Sequence, residues 1–171
     1  LYNETEAAFN HNESEDDETS EASKLFKTKK KELASLYSNH RKKAKVTFRK
    51  DNVSAEKLKL TGFLPKAYIP WLDTVTKFYS FALTDTSIQS KLALYKITVE
   101  SLNVGNSLVT EVKNARSEYL RETGESQEAT KSKDEAFAKL DEWMLDFYAV
   151  ARIALEDKPQ LLEALGLLVK S

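Results

Sequence analysis

The chain has 171 residues, 41% hydrophobic and 31% charged, with a formal net charge of −1. That length suits one domain with one substantial core, and the charge predicts no strong global pull toward nucleic acid or an anionic membrane. The absence of cysteine excludes disulfides, thiolate metal sites and thiol redox chemistry, and no apolar window approaches the roughly 18 residues that span a bilayer.

Only 4 Gly and 3 Pro leave few tight turns for a sheet, so the expected fold is all-α. The charges are unevenly spread. Between Glu4 and Glu21 stand eight acids and no Lys or Arg, whereas Lys24 to Lys50 holds eleven bases and one acid, Glu32.

The first element is an amphipathic helix over 21–48, with Ala22, Leu25, Phe26, Leu33, Leu36, Tyr37, Ala44 and Phe48 on one face. Thr19 or Ser20 is its expected N-cap, and its bases gather toward the negative end of the macrodipole. Asp51 to Pro70 reads as an irregular connection with a short helix, anchored by Leu58, Leu60, Phe63 and Leu64. From Trp71 to Leu83 the period of Trp71, Leu72, Val75, Phe78, Tyr79 and Ala82 predicts a second helix, with Pro70 at a first-turn position. After a break at Thr84 to Ser87, a further helix through Ile88, Leu92 and Tyr95 is expected.

Thr98 opens a helix whose face is Leu102, Val109, Val112, Ala115, Tyr119 and Leu120, with Gly124 as its stop. Thr123 or Ser126 then caps the most apolar helix, carrying Ala129, Ala136, Phe137, Leu140, Trp143, Met144, Phe147, Val150, Ala151 and Ala154. So wide a stripe predicts a central, multiply contacted position. Pro159 ends it, and 160–169 reads as a short terminal helix interrupted near Gly166.

Helices 21–48 and 128–155 correspond without gaps at an offset of 107. Glu21 pairs with Glu128, Ala22 with Ala129, Leu33 with Leu140 and Ala44 with Ala151, and each helix is followed by a polar breaker, a leucine-containing segment and a glycine. The expectation is an antiparallel bundle of long helices over 1–171 with pseudo-two-fold symmetry from an internal duplication. On that expectation about 40 residues precede Leu1 in the natural protein, and 1–10 ends an additional helix.

Chemistry is sparse. A ferritin-type di-iron bundle needs Glu-x-x-His, but Ala8 and Tyr37 stand three residues before the two histidines, His11 and His40. Neither a phosphate-cradling G-x-x-x-x-G-K-[ST] nor a dinucleotide G-x-G-x-x-G occurs. Paired acids such as Asp141–Glu142 and Glu156–Asp157 read as solvated helix charges, and His40 as a packed histidine. No catalytic, cofactor-binding or metal-ligating residue is predicted. The best candidate surface is the basic face 41–50, whose plainer reading is macrodipole compensation. Trp71, Phe78, Tyr79, Phe81, Trp143, Phe147 and Tyr148 read first as core and second as the lining of a pocket.

The stretches 119–130 (Tyr-Leu-Arg-Glu-Thr-Gly-Glu-Ser-Gln-Glu-Ala-Thr), 140–144 (Leu-Asp-Glu-Trp-Met), 147–151 and 156–163 resemble a group of uncharacterised bacterial all-α helical-bundle proteins. His40 to Lys45 and Trp71-Leu72 are similar to the same group. The resemblance implies a cytoplasmic bundle without an assigned activity and carries no catalytic residue onto this chain. The expected function is therefore a non-enzymatic role through a protein partner or self-association, with no membrane contact. The alternatives are a ligand-binding or enzymatic bundle with an aromatic-lined pocket, and weak nucleic-acid contact through 41–50.

Overall fold

A computed structural model describes residues 1–167. The chain is all-α, with α1 at Tyr2–Thr47, α2 at Asn52–Lys57, α3 at Tyr68–Thr84, α4 at Thr86–Ala93, α5 at Val99–Ala154 and a 3-10 helix at Pro159–Leu165. Residues group into two compact units, Ser20–Arg121 and Leu1–Thr19 with Glu122–Ser171, so α1 and α5 each contribute a stretch to both. No helix among the described residues is long and apolar enough to cross a membrane.

The unit 20–121 is built on apolar spacing. The positions predicted for α3 are all buried, and they meet Leu33, Tyr37, Ala44 and Phe48 of α1 and Leu102, Val109 and Val112 of α5. Burying each of the larger side chains stabilises the unit by roughly 1.5–3 kcal/mol. Ring contacts Phe26–Tyr68 and Tyr37–Phe78 advance together along α1 and α3, so these helices run parallel. Contacts Phe26–Tyr119 and Lys29–Glu111 run oppositely, so α5 is antiparallel to α1. The parallel pair arises because the chain returns through α2 and an extended segment before α3 begins. Arg41 pins that return by donating from Nη2 to the carbonyls of Leu60 (3.2 Å) and Gly62 (3.1 Å).

Asp51 and Asp85 cap α2 and α4 by accepting backbone N–H bonds, and each also receives a lysine, Lys91 and Lys57 respectively, at 2.9 Å. Gly105 is buried where α5 meets Tyr79, and a Cβ there would overlap the tyrosine ring. The glycine costs α5 about 1 kcal/mol of helix propensity, which the close approach of Tyr79 explains.

The unit 1–19 with 122–171 is held by polar contacts between antiparallel stretches of α1 and α5. Thr5 Oγ1 donates to the carbonyl of Ala136 (3.4 Å), Asn12 Nδ2 to Thr130 Oγ1 (3.0 Å), and Thr19 Oγ1 to the carbonyl of Glu122 (3.0 Å). Thr19 and Ser20 are thus helix interior rather than N-caps, and residues 1–10 belong to α1 itself. The acidic stretch continues the helix because Glu is a good helix former and contacts such as Ser14–Glu18 lie one turn apart. Gly124 likewise does not stop α5, which runs through it at about the same 1 kcal/mol cost.

The stripe of 136–154 does not occupy a central position. Phe137, Trp143, Phe147 and Val150 are exposed, Trp143 and Phe147 stacking on each other at 5.4 Å. On that stretch the burial is confined to Ala151 and to partial cover of Ala136, Leu140, Met144 and Tyr148. The part of the expected terminal helix beyond 167 lies outside the described residues.

Backbone hydrogen bonds recur at the offset of 107. Phe48 N–Ala44 O and Asp51 N–Phe48 O reappear as Leu155 N–Ala151 O and Lys158 N–Leu155 O. Lys59 N–Glu56 O (3.0 Å) and Leu60 N–Ala55 O (2.9 Å) reappear as Gly166 N–Glu163 O (3.0 Å) and Leu167 N–Leu162 O (3.1 Å). Both sets are Schellman closures, with Lys59 (φ 53°) and Gly166 (φ 81°) in the left-handed region. Gly166 is therefore the counterpart of Lys59 rather than of Gly62.

Candidate functional site

Three groups of side chains carry the chemistry that the fold brings together. The first is buried in the unit 20–121, where Tyr79 Oη and His40 Nδ1 share a hydrogen bond of 3.3 Å and Tyr37 packs edge-on against Phe78. Burial, reinforced by the charge of Lys43, pulls the His40 imidazole down to about 4, so it is neutral at physiological pH. Burial raises both Tyr37 and Tyr79 above the ordinary tyrosine value. Neutral, shielded and tightly packed, these groups hold a core together. The nearby surface depression is lined by Lys29, Glu32, Leu36, Glu100, Asn103, Val104, Ser107, Leu108 and Glu111, with no aromatic residue.

The second group lies in the other unit. Carboxylate oxygens of Glu15, Glu122 and Glu125 come within 4.8 Å of one another, with Glu122 buried. Their oxygens are the type that a hard divalent cation takes. Several of these residues already have protein contacts: His11 Nδ1 lies 3.6 Å from Glu15, and Glu122 and Glu125 have interactions of their own. Sequence reading missed the cluster because α1 was expected to begin after Glu15 and α5 to stop before Glu125. The signal was nonetheless present, since Glu15 and Glu18 match Glu122 and Glu125 at the offset of 107, as Leu1 matches Leu108, Glu4 matches Glu111 and Ala8 matches Ala115.

The third group is a pair of oppositely charged surfaces. On the predicted basic face, Arg41 is committed to the return segment, whereas Lys42, Lys45, Arg49 and Lys50 are exposed around a half-exposed Val46. At the offset of 107, Arg49 and Lys50 of this face correspond to Glu156 and Asp157, and Lys27 to Asp134, whereas Lys42 corresponds to Ala149 and Lys45 to Arg152. The segment 134–157 carries seven acids and two bases. Its exposed apolar residues Trp143, Phe147 and Val150 follow at spacings of four and three, one helix face, and the exposed Glu142 and Asp146 stand one residue before Trp143 and Phe147. The predicted aromatics therefore separate: Trp71, Phe78 and Tyr79 are core, and Trp143 and Phe147 are surface.

Compared with known proteins, the chain matches no family model, no curated protein and no solved structure.

Proposed function

We propose that this protein is a non-enzymatic, duplicated helical-bundle protein that acts by association through the face of α5 carrying Trp143, Phe147 and Val150. One observation carries the reading: these side chains are 48%, 38% and 64% exposed, in a row on one helix face. Monomeric surfaces seldom leave contiguous aromatic and aliphatic groups in water, and rows of this kind rimmed by polar residues mark interaction sites. The duplication sharpens the point. Leu33, Tyr37, Ala44 and Phe48 are buried, and their counterparts Leu140, Met144, Ala151 and Leu155 are also apolar, although three of those four are only half-buried. The second copy thus keeps the composition of a helix that others pack against.

The pseudo-two-fold reading is supported by paired contacts. At the offset of 107 the Phe26–Tyr119 ring stack corresponds to the Lys133–Asn12 hydrogen bond, each partner exchanging copies. Replacing Trp143 and Val150 together by Ser tests the function. The reading expects an unchanged unfolding midpoint and loss of association by sedimentation. It is abandoned if the double variant unfolds as easily as a variant of the buried core, or if the parent chain turns over a substrate.

A further inference from the structure

Resting on that association reading, we propose that the occupant of the acidic, apolar face of α5 is a second copy of this chain, presenting the basic face of α1. The carrying observation is charge complementarity between two exposed surfaces of matched pattern. Lys42 and Lys45 stand three residues apart on one face of the last turns of α1, followed by the half-exposed Val46, and Arg49 lies in the turn after Thr47. Glu142 and Asp146 stand one turn apart on α5, which also exposes Val150 and Ile153, the latter 76% exposed, and Asp157 lies in the turn after Ala154. Every one of these six charged side chains is exposed, so each is available to a partner. Apolar groups at the centre and opposite charges at the rim are the ordinary anatomy of a protein interface.

The near-zero net charge conceals this arrangement. At −1 the chain as a whole neither attracts nor repels its own copies, so the local fields decide. Equivalent positions of the two copies carry opposite signs at Lys27 and Asp134, Arg49 and Glu156, and Lys50 and Asp157. A contact between two basic faces would set bases against bases, whereas the basic face against the acidic one sets bases against acids. Self-association is consequently heterologous, one patch meeting a different patch, and it does not saturate in a single pair unless the geometry closes.

The test uses two full-length variants, one with Lys42, Lys45 and Arg49 all changed to Glu, the other with Glu142, Asp146 and Asp157 all changed to Lys. Light scattering is measured on each alone and on an equal mixture. The parent should exceed the 19.4 kDa monomer mass and lose association by on the order of tenfold as salt rises from about 50 to about 200 mM. Each variant alone should be monomeric, and the mixture should associate again, because one chain then has two acidic patches and the other two basic ones. Restoration in the mixture also demonstrates that both variants are folded. A monomeric parent, a mixture that stays monomeric, or a reversed variant that associates like the parent overturns the proposal. Association that survives both reversals yet disappears with the Trp143 and Val150 substitutions would refute the charge pairing while leaving the association reading standing.

Discussion

The two ends of the 107-residue offset make the same backbone and fill it differently. Around Phe26 and Tyr119 the paired positions stack as rings at 6.2 Å. At the corresponding pair, Lys133 donates to Asn12 at 2.6 Å. Residues 21–48 lie in a unit with eighteen buried side chains in a continuous apolar cluster, and residues 128–155 in a unit whose buried groups include Thr5, Asn12 and Glu122. Apolar burial therefore concentrates in 20–121, and the other unit leaves Trp143, Phe147 and Val150 exposed. Under the proposed duplication, one backbone pattern serves packing in 21–48 and association in 128–155.

The largest expected effect tests where that stability lies. Gly105→Ala places a Cβ in the Tyr79 ring, an overpacking expected to cost about 3 kcal/mol, read as a lowered denaturant midpoint. Adding Tyr79→Leu should recover part of the loss, and a simple sum of two losses would show that the close approach is not the cause. The matched leucines sharpen the comparison directly. Leu33→Ala, at a fully buried position, should cost on the order of 3 kcal/mol, and Leu140→Ala, half-buried, about 1 kcal/mol. Equal losses would remove the distinction between a packed and an open copy.

A third measurement uses the buried histidine, which corresponds to Phe147 at the offset of 107. With a folded value of about 4 against an ordinary 6.5, the unfolded chain binds the proton first as pH falls. The stability contributed by neutral His40 is complete above about pH 6.5 and is lost down to about pH 4, by on the order of 3 kcal/mol. Asp51, held down to about 2 chiefly by the hydrogen bond from Lys91, titrates in a lower window and does not confuse the result. Urea titrations across pH 4 to 7 should lose this slope in His40→Gln. A slope that persists in the variant assigns the acid sensitivity elsewhere.

Much of this contrast was legible in the residues. The helical period located α3 to within a few residues and identified Leu33, Tyr37, Ala44 and Phe48 as core, because burial follows the apolar face whichever neighbour covers it. Direction was not legible: nothing in the spacing reveals that α3 runs parallel to α1, which depends on the return held by Arg41. The stops were misread for a different reason. Thr19, Ser20 and Gly124 have the local chemistry of helix ends, but the propensity cost of one Gly or Ser is about 1 kcal/mol or less, within what packing and ladder hydrogen bonds in a long helix outweigh. With those stops removed, Glu15, Glu122 and Glu125 become neighbours, so the acidic cluster was invisible for as long as the helices were divided.

The smallest effect is a single backbone position exchanged across the offset of 107. Lys59 and Gly166 close the same Schellman motif, yet a lysine at φ 53° carries a left-handed penalty that the glycine at φ 81° does not. Lys59→Gly should therefore raise stability by about 0.5–1 kcal/mol, since the side chain is exposed and contributes no buried surface. Gly166→Lys should do the reverse, but its cost should fall on the unit 1–19 with 122–171, where native-state hydrogen exchange would register it as faster opening of the C-terminal end of α5 without a matching change around Tyr37 and Phe78. If Gly166→Lys instead speeds exchange throughout the core of 20–121, the two units unfold together and the proposed division between a packed and an associating helix fails. If Lys59→Gly is destabilising, the lysine is held in place by something other than the turn, and the equivalence of the two closures ends at their hydrogen bonds.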